Sequence, residues 1–221
     1  FGVVASIRHP QVNMQKVNYS KLPYAISPSQ VITYCECHDN HTLWDKLNIS
    51  LPYAKLEDLR EMQKLALSIV LTSQGISFLH AGTEFLRSKK GVENSFQSPD
   101  SINAIDWNLK STNKDVFEYV KGLIEMRKKH PAFHMHNADM IRKNIEFGNP
   151  AFQTVSYTID GRDTGDSWNK IYVLFNARDQ DYLLNLPAGK WKTYIVNNKI
   201  AEGIEIPARI NAYSTLLLYQ D

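Results

Sequence analysis

Six consecutive residues, Glu36-Cys37-His38-Asp39-Asn40-His41, gather the side chains of this sequence best suited to acid, base or ligand chemistry. They follow a short apolar run, Val31-Ile-Thr-Tyr-Cys35, whose β-prone content predicts a strand covered on both faces. Polar residues at the carboxyl end of a parallel strand stand where α/β folds assemble their active sites, because strand ends and following loops converge there. If the strand persists to residue 39, Asp39 shares a face with Cys35 and Cys37. An Asp beside a His also has a plain structural use, capping a turn and satisfying buried backbone. Two chemical uses compete with it. In the first, His38, Asp39 and His41 bind zinc, manganese or iron; against it, adjacent residues of one strand point to opposite faces, and His80 is the only later candidate near a strand end. In the second, Asp39 stabilises a developing oxocarbenium ion and His38 hydrogen-bonds a sugar hydroxyl, with Tyr34 and Trp44 available for ring packing.

The elements that must position this cluster are partly readable. Residues 1–30 hold Pro10, Pro23 and Pro28 and little periodicity, the mark of irregular chain on the surface or along a cleft rather than core. After Pro52, the residues Leu59, Met62, Ala66, Ile69, Val70 and Ser73 recur at helical spacing, and Gly75 is a natural stop. Ile76–Leu79 is a second short apolar run, closed by His80, Ala81 and Gly82. Strand, helix, strand implies a parallel pair within an α/β sheet or barrel. Residues 83–110 carry turn residues without a period, a long loop of the functional kind. Ser111 is placed to cap a helix in which Val116, Val120, Leu123 and Ile124 share a face, ending in Arg127-Lys-Lys-His130 before Pro131. From about residue 132, β-rich segments at 154–159, 171–176, 182–186, 190–196 and 214–219 predict an antiparallel β-domain, a small sandwich, with 161–169 as an exposed loop.

Composition narrows the function. The 221 residues are 43% hydrophobic and 22% charged, a globular balance rather than a disordered one. Lys+Arg 25 against Asp+Glu 23 leaves a net charge of +2, which argues against nucleic acid as a partner. No run of about 18 apolar residues is present to span a membrane. The chain opens Phe1-Gly-Val-Val without a methionine or a leader pattern, as expected of a processed start or a piece of something longer, so localisation is not readable. Cys35 and Cys37, two apart in a strand, are not expected to form a disulfide and say little about compartment.

Longer stretches carry a family resemblance. Val31-Ile-Thr-Tyr-Cys-Glu-Cys-His38-Asp39-Asn40-His-Thr-Leu-Trp-Asp-Lys-Leu47 resembles the fourth conserved region of the α-amylase superfamily (glycoside hydrolase family 13) in its type I pullulanase form. Gln74–Arg87 resembles that family's eighth barrel strand and following loop, Asn94–Trp107 its substrate-loop segment, and Ile7–Val12 with Val17–Lys21 the stretch before strand seven. The resemblance implies α/β plus all-β architecture. Residues 1–131 would be the C-terminal part of a TIM (β/α)8 barrel, strands seven and eight with their helices, and residues 132–221 a β-sandwich domain. It implies a retaining hydrolase of α-1,6-glucosidic bonds in pullulan, glycogen or branched dextrins.

Residue by residue, Asp39 matches the transition-state-stabilising carboxylate and His38 the adjacent sugar-binding histidine. Asn40, Asp100 and Asn103 match polar positions lining neighbouring subsites. Glu84, Asp106 and Trp107 read as loop scaffold, and Cys37 departs from the asparagine or serine common in related motifs. No cofactor or metal is required by the resemblance, and calcium use is left open. Retaining glycosidases need a nucleophile and an acid/base about 5–5.5 Å apart, which this family carries on strands four and five. No Gly-Phe-Arg-hydrophobic-Asp stretch occurs in these 221 residues, so the missing N-terminal part of the same enzyme is an expected partner and the chain alone is expected to be inactive. A glucan-binding or structural remnant, or an isoamylase-like or glycogen-debranching enzyme, are the alternatives; Asp39-Asn-His-Thr-Leu-Trp-Asp45 favours the pullulanase form.

Overall fold

A computed structural model describes residues 1–18 and 20–221; Tyr19, within the stretch Val17–Lys21, lies outside the described residues. The two apolar runs of the first half form β1 (Ile32–Thr33) and β2 (Ile76–Ser77), paired in parallel with Ile32 opposite Ile76 and Thr33 opposite Ser77. Between them lie α1 (Leu43–Ser50) and α2 (Leu56–Thr72), the crossover that a parallel pair requires. The run 31–35 is less of a strand than expected. Only two of its residues pair, and Ile32 and Tyr34 are 57% and 52% exposed, because β2 is the strand's one neighbour here and no layer covers the outer face.

Helix α2 exists as the periodicity predicts, but its buried face is rotated. Ile69 is exposed, while Gln63, Lys64 and Ser68 are buried. Each of these polar groups has a partner: Gln63 donates to the Thr83 carbonyl at 3.0 Å, Lys64 meets Glu61 and Asp115, and Ser68 meets the Tyr119 hydroxyl at 2.7 Å. Residues 100–112 contain two short helices, α3 (Asp100–Asn103) and α4 (Asn108–Thr112), before α5 (Lys114–Lys129). Ser111 therefore lies inside α4 and does not cap α5, whose first residue follows Asn113. Val116, Tyr119, Val120, Leu123 and Met126 form the buried stripe of α5, at the spacing that sets one helix face against a core.

A seven-residue helix, α6 (Ala138–Asn144), leads into β3 (Ile145–Phe147). Then follow β4 (Thr154–Asp160), β5 (Lys170–Asn176), β6 (Tyr182–Leu183), β7 (Lys192–Val196), β8 (Lys199–Ile200), β9 (Arg209–Ile210) and β10 (Ser214–Gln220). Six of these make one antiparallel sheet ordered β3-β4-β5-β10-β7-β8, and β6 pairs with β9 separately. Strand alternation splits the central strands between two layers. Ile171, Val173, Phe175 and Leu217 pack into the core shared with the helices, while Tyr172, Leu174, Leu216 and Leu218 pack with Ile210 and Tyr182 of the small sheet. The β-domain is thus a large sheet with a very small one on its outer face.

One apolar core runs from Val3 and Val4 through α2 and α5 to Ile195 and Leu217. The opening residues belong to it: Val3, Val4, Ala5, Ile7 and Ala25 are buried, which corrects the expectation of a surface loop. Short 3-10 turns lack a sequence period, so their apolar residues carry no visible pattern. The segment 161–169 is likewise not simply exposed. His130 Nδ1 and Asp166 Oδ1 lie 2.7 Å apart with both side chains buried, and Trp168 stacks between the His130 and Tyr219 rings. Burial alone would raise the Asp166 carboxyl, but hydrogen bonds from His130 and from the Trp168 and Ala132 N–H groups outweigh it and hold it below the usual range.

Arg127, expected only as a cation near a helix C-terminus, joins the helices to the chain around them. Its guanidinium donates to the carbonyls of Leu71, Ser73, Phe133 and Gly75 at 2.7–3.0 Å. Gly75 permits this junction because its φ is +89° and an added Cβ would lie 3.1 Å from the Val31 carbonyl. Arg127→Met removes every one of these donors at once. It is expected to cost about 3 kcal/mol, the scale of leaving buried acceptors unpaired; urea unfolding showing a loss under about 1 kcal/mol would contradict this role.

Candidate active site

The polar cluster lies directly after β1, on the segment that leads into α1. Strand β1 stops at Thr33 and the chain bends before residue 39, so Asp39 does not share a strand face with Cys35 and Cys37 as parity suggested; Asn40 then takes a left-handed φ of 61°. His38 and Asp39 are presented to solvent together, with Nε2 and Oδ2 3.4 Å apart and side chains 81% and 65% exposed. Asn40 beside them is exposed. Tyr34 is exposed and meets Phe78 edge-on at 6.0 Å, whereas Trp44 packs against the core and offers less surface than expected for ring packing.

Beneath this loop is a buried polar layer. Glu36 has a side chain 2% exposed, and its Oε2 accepts the Leu43 N–H, one of the free donors at the start of α1. Thr42 caps the same helix by accepting from the Asp45 N–H at 3.1 Å. The other carboxyl oxygen of Glu36 faces His80 Nδ1 at 3.7 Å, and His80 Nε2 lies 3.3 Å from Arg87 Nη1. A guanidinium only donates, so Nε2 is the acceptor and the ring proton resides on Nδ1, directed at Glu36. Burial, reinforced by Arg87, Lys89 and His38, lowers His80 to about 4, so the ring is neutral near pH 7. Burial raises the Glu36 carboxyl, opposed by its hydrogen bonds and by Arg87 and Lys89.

Arg87 connects this layer to the second candidate segment. It donates to the Ala81 and Asn103 carbonyls at 3.0 and 2.6 Å. Gly82 makes room for it: its φ is +96°, and a Cβ there would lie 2.7 Å from the Arg87 side chain. The Asn103 amide is turned inward, donating to the Ser95 and Ser98 carbonyls at 2.6 and 2.9 Å. Asp100 is exposed at the start of α3 and borders a cavity of about 420 Å³ with Arg87, Lys90 and Asp106. Glu84 accepts from Gly82 N–H at 2.9 Å and Asp106 from Asn108 N–H at 3.0 Å, both loop-scaffold roles. The structure thus brings His38 and Asp39 together, and places Asp100 and Asn103 on a separate segment, where Arg87 joins the Asn103 carbonyl to His80.

The metal reading changes its members. Cys37, His38 and Asp39, not His41, offer ligand atoms within 4.8 Å of one another, all from adjacent residues of an open loop. Three groups missed in the sequence are Asp45, Arg87 and Lys89. Asp45 accepts from Ser88 Oγ at 2.5 Å and Lys89 N–H at 2.7 Å, and Lys89 Nζ donates to the His38 carbonyl at 2.9 Å. Among the described residues no helix is long and apolar enough to cross a membrane.

Known proteins share this fold. The family described as pullulanase, all-beta domain, matches residues 141–199. A pullulanase of Bacillus subtilis (strain 168) is 41% identical over 165 residues, 75% of this chain and 23% of the relative. Two solved structures superpose over 99% of this chain: a pullulanase from Bacillus acidopullulyticus, with TM-score 0.88, 35% identity and 26% of its length covered, and a pullulanase type I from Bacillus subtilis str. 168 complexed with maltose, with TM-score 0.89, 34% identity and 30% covered. The chain therefore spans roughly a quarter to a third of the length of the relatives it matches.

Proposed function

Because the chain belongs to the type I pullulanases and corresponds to a C-terminal portion of one, we propose that the complete enzyme hydrolyses α-1,6-glucosidic bonds of pullulan, glycogen or branched dextrins with retention of configuration. The observation that carries this reading is the His38–Asp39 pair, presented to solvent at the carboxyl end of a parallel strand. In a (β/α)8 barrel that end is the catalytic face.

On this reading β1 and β2 are the last two barrel strands, residues 1–131 the end of the barrel and residues 132–221 the β-sandwich domain. The open apolar surface fits it. Ile32, Tyr34, Ile76 and Phe78, all on or beside the two strands, are 41–57% exposed, as expected where further strands and helices of the same enzyme pack.

Asp39 is then the carboxylate that stabilises positive charge at the anomeric carbon, and His38 donates to a hydroxyl of the same sugar. Asn40 and Asp100 have polar side chains free to meet neighbouring glucose units. Asn103 supports its loop with its amide, leaving its side-chain oxygen for a ligand. The nucleophilic Asp and the acid/base Glu come from upstream strands, so the chain supplies one carboxylate of the set. The relatives crystallised with maltose, maltotetraose and maltohexaose support an α-glucan as the ligand class. The test is proton NMR of pullulan digested by the complete enzyme. New reducing ends should appear first as the α-anomer; initial β-anomer, or no cleavage, would contradict the proposal.

A further inference from the structure

We infer that Lys89 is a positioning residue for Asp39, acting through the carbonyl of His38. The inference rests on the reading of Asp39 as the sugar-facing carboxylate and extends it to how that carboxylate is held.

Lys89 is 3% exposed, while Lys90 beside it is exposed. Burying an ammonium is costly unless it is paired and hydrogen-bonded, so its location needs a cause. Its Nζ donates at 2.9 Å to the His38 carbonyl, and Lys89 is among the charges that favour the ionised form of the Glu36 carboxyl. Its own backbone is fixed first: Asp45 of α1 accepts the Lys89 N–H at 2.7 Å and the Ser88 hydroxyl at 2.5 Å. The root of the side chain is therefore anchored to α1, and its tip to the loop that enters α1.

The anchored carbonyl matters because of where it sits. The peptide joining His38 to Asp39 is planar, so holding its oxygen also sets the direction of the Asp39 N–Cα bond. The following residue, Asn40, is in the left-handed region. Asp39 is thus the exposed apex between a clamped peptide and a tight bend. Glu36 secures the far side of the same loop by accepting the Leu43 N–H, and is itself met by His80. The loop after β2 thereby holds the loop after β1 under His38, by Lys89, while His80 lies 3.7 Å from the Glu36 carboxyl beside it. Among the described residues the Asp39 carboxylate has His38 as its one polar side-chain partner within 4 Å and is 65% exposed, leaving it open to substrate.

The test is a double-mutant cycle in the complete enzyme, measuring kcat and KM on pullulan for Lys89→Met, Asp39→Ala and the pair. Lys89→Met should lower kcat about 10- to 100-fold, the scale of a carboxylate misplaced by about an ångström, with KM changed less than about threefold. In the Asp39→Ala background the same substitution should change the residual kcat less than about twofold, because a group that acts through Asp39 has nothing left to position. Lys89→Arg, which keeps the charge and the donors, should recover part of the loss. Equal losses from Lys89→Met in both backgrounds, or no loss at all, would overturn the inference. If Lys89→Met does not fold, Lys89→Arg carries the cycle, with a fall of about threefold or more expected that disappears without Asp39. Near-normal turnover of Asp39→Ala alone would instead remove the reading of Asp39 itself.

Discussion

Asp39→Ala in the complete enzyme is expected to lower turnover on pullulan about a hundred- to a thousandfold while leaving folding nearly unchanged. The two halves of this expectation have separate physical origins. The Asp39 side chain is 65% exposed and its one close partner is the still more exposed His38, so truncating it empties no core and should alter stability by no more than about 0.5 kcal/mol. On the proposed role, the same carboxylate faces a sugar ring gaining positive charge in the complete enzyme. Preorganised charges aimed at a transition state typically contribute about 3–4 kcal/mol each, and about 1.4 kcal/mol corresponds to each tenfold in rate. Turnover should therefore fall far more than substrate affinity. Parallel melting curves and steady-state rates on the purified variant check both halves; near-normal turnover would remove the assigned role.

The chemistry was more legible in the sequence than its support. His38 and Asp39 are adjacent, and the residues flanking them form an unbroken motif, so local sequence suffices to propose them. Lys89 lies some fifty positions away, and a lysine gives no sign that it is buried. Only the fold brings its ammonium beneath His38. Asp45 and Arg87 were hidden for the same reason: their partners are carbonyls and N–H groups of distant loops.

Among the elements, α5 was readable because Val116, Val120 and Leu123 repeat on one face and cations close its last turn. Helix α2 was found with its buried face misplaced, since Gln63, Lys64 and Ser68 enter the interior with polar partners waiting. Helices α1 and α6, of eight and seven residues, are too short for a period to stand out. The loop through residues 83–110 has no period because side-chain contacts hold it, such as the Asn103 amide on the Ser95 and Ser98 carbonyls. The opening residues carried the largest error. Val3, Val4 and Ile7 are core, yet they sit in a 3-10 turn and an isolated bridge, where burial follows tertiary contacts alone.

The other large effect expected is all-or-none, and it concerns residues 1–221 by themselves. Retaining hydrolysis needs a nucleophile and an acid/base held about 5–5.5 Å apart across the scissile bond. On the proposed assignment this chain supplies Asp39, a charge-stabilising carboxylate that neither forms nor breaks a bond. A site lacking both reacting carboxyls keeps only binding and electrostatic contributions. Those cannot protonate the leaving oxygen or form the glycosyl-enzyme intermediate. The strands that would carry the missing groups would also complete the cleft, which two strands with open faces at Ile32 and Ile76 leave unformed.

The most direct measurement is release of reducing ends from pullulan by purified residues 1–221, run beside the complete enzyme at equal molarity. Steady release by the complete enzyme and none above buffer by residues 1–221 are expected. Sustained release by residues 1–221, abolished by Asp39→Ala and so not a contaminant, would contradict it.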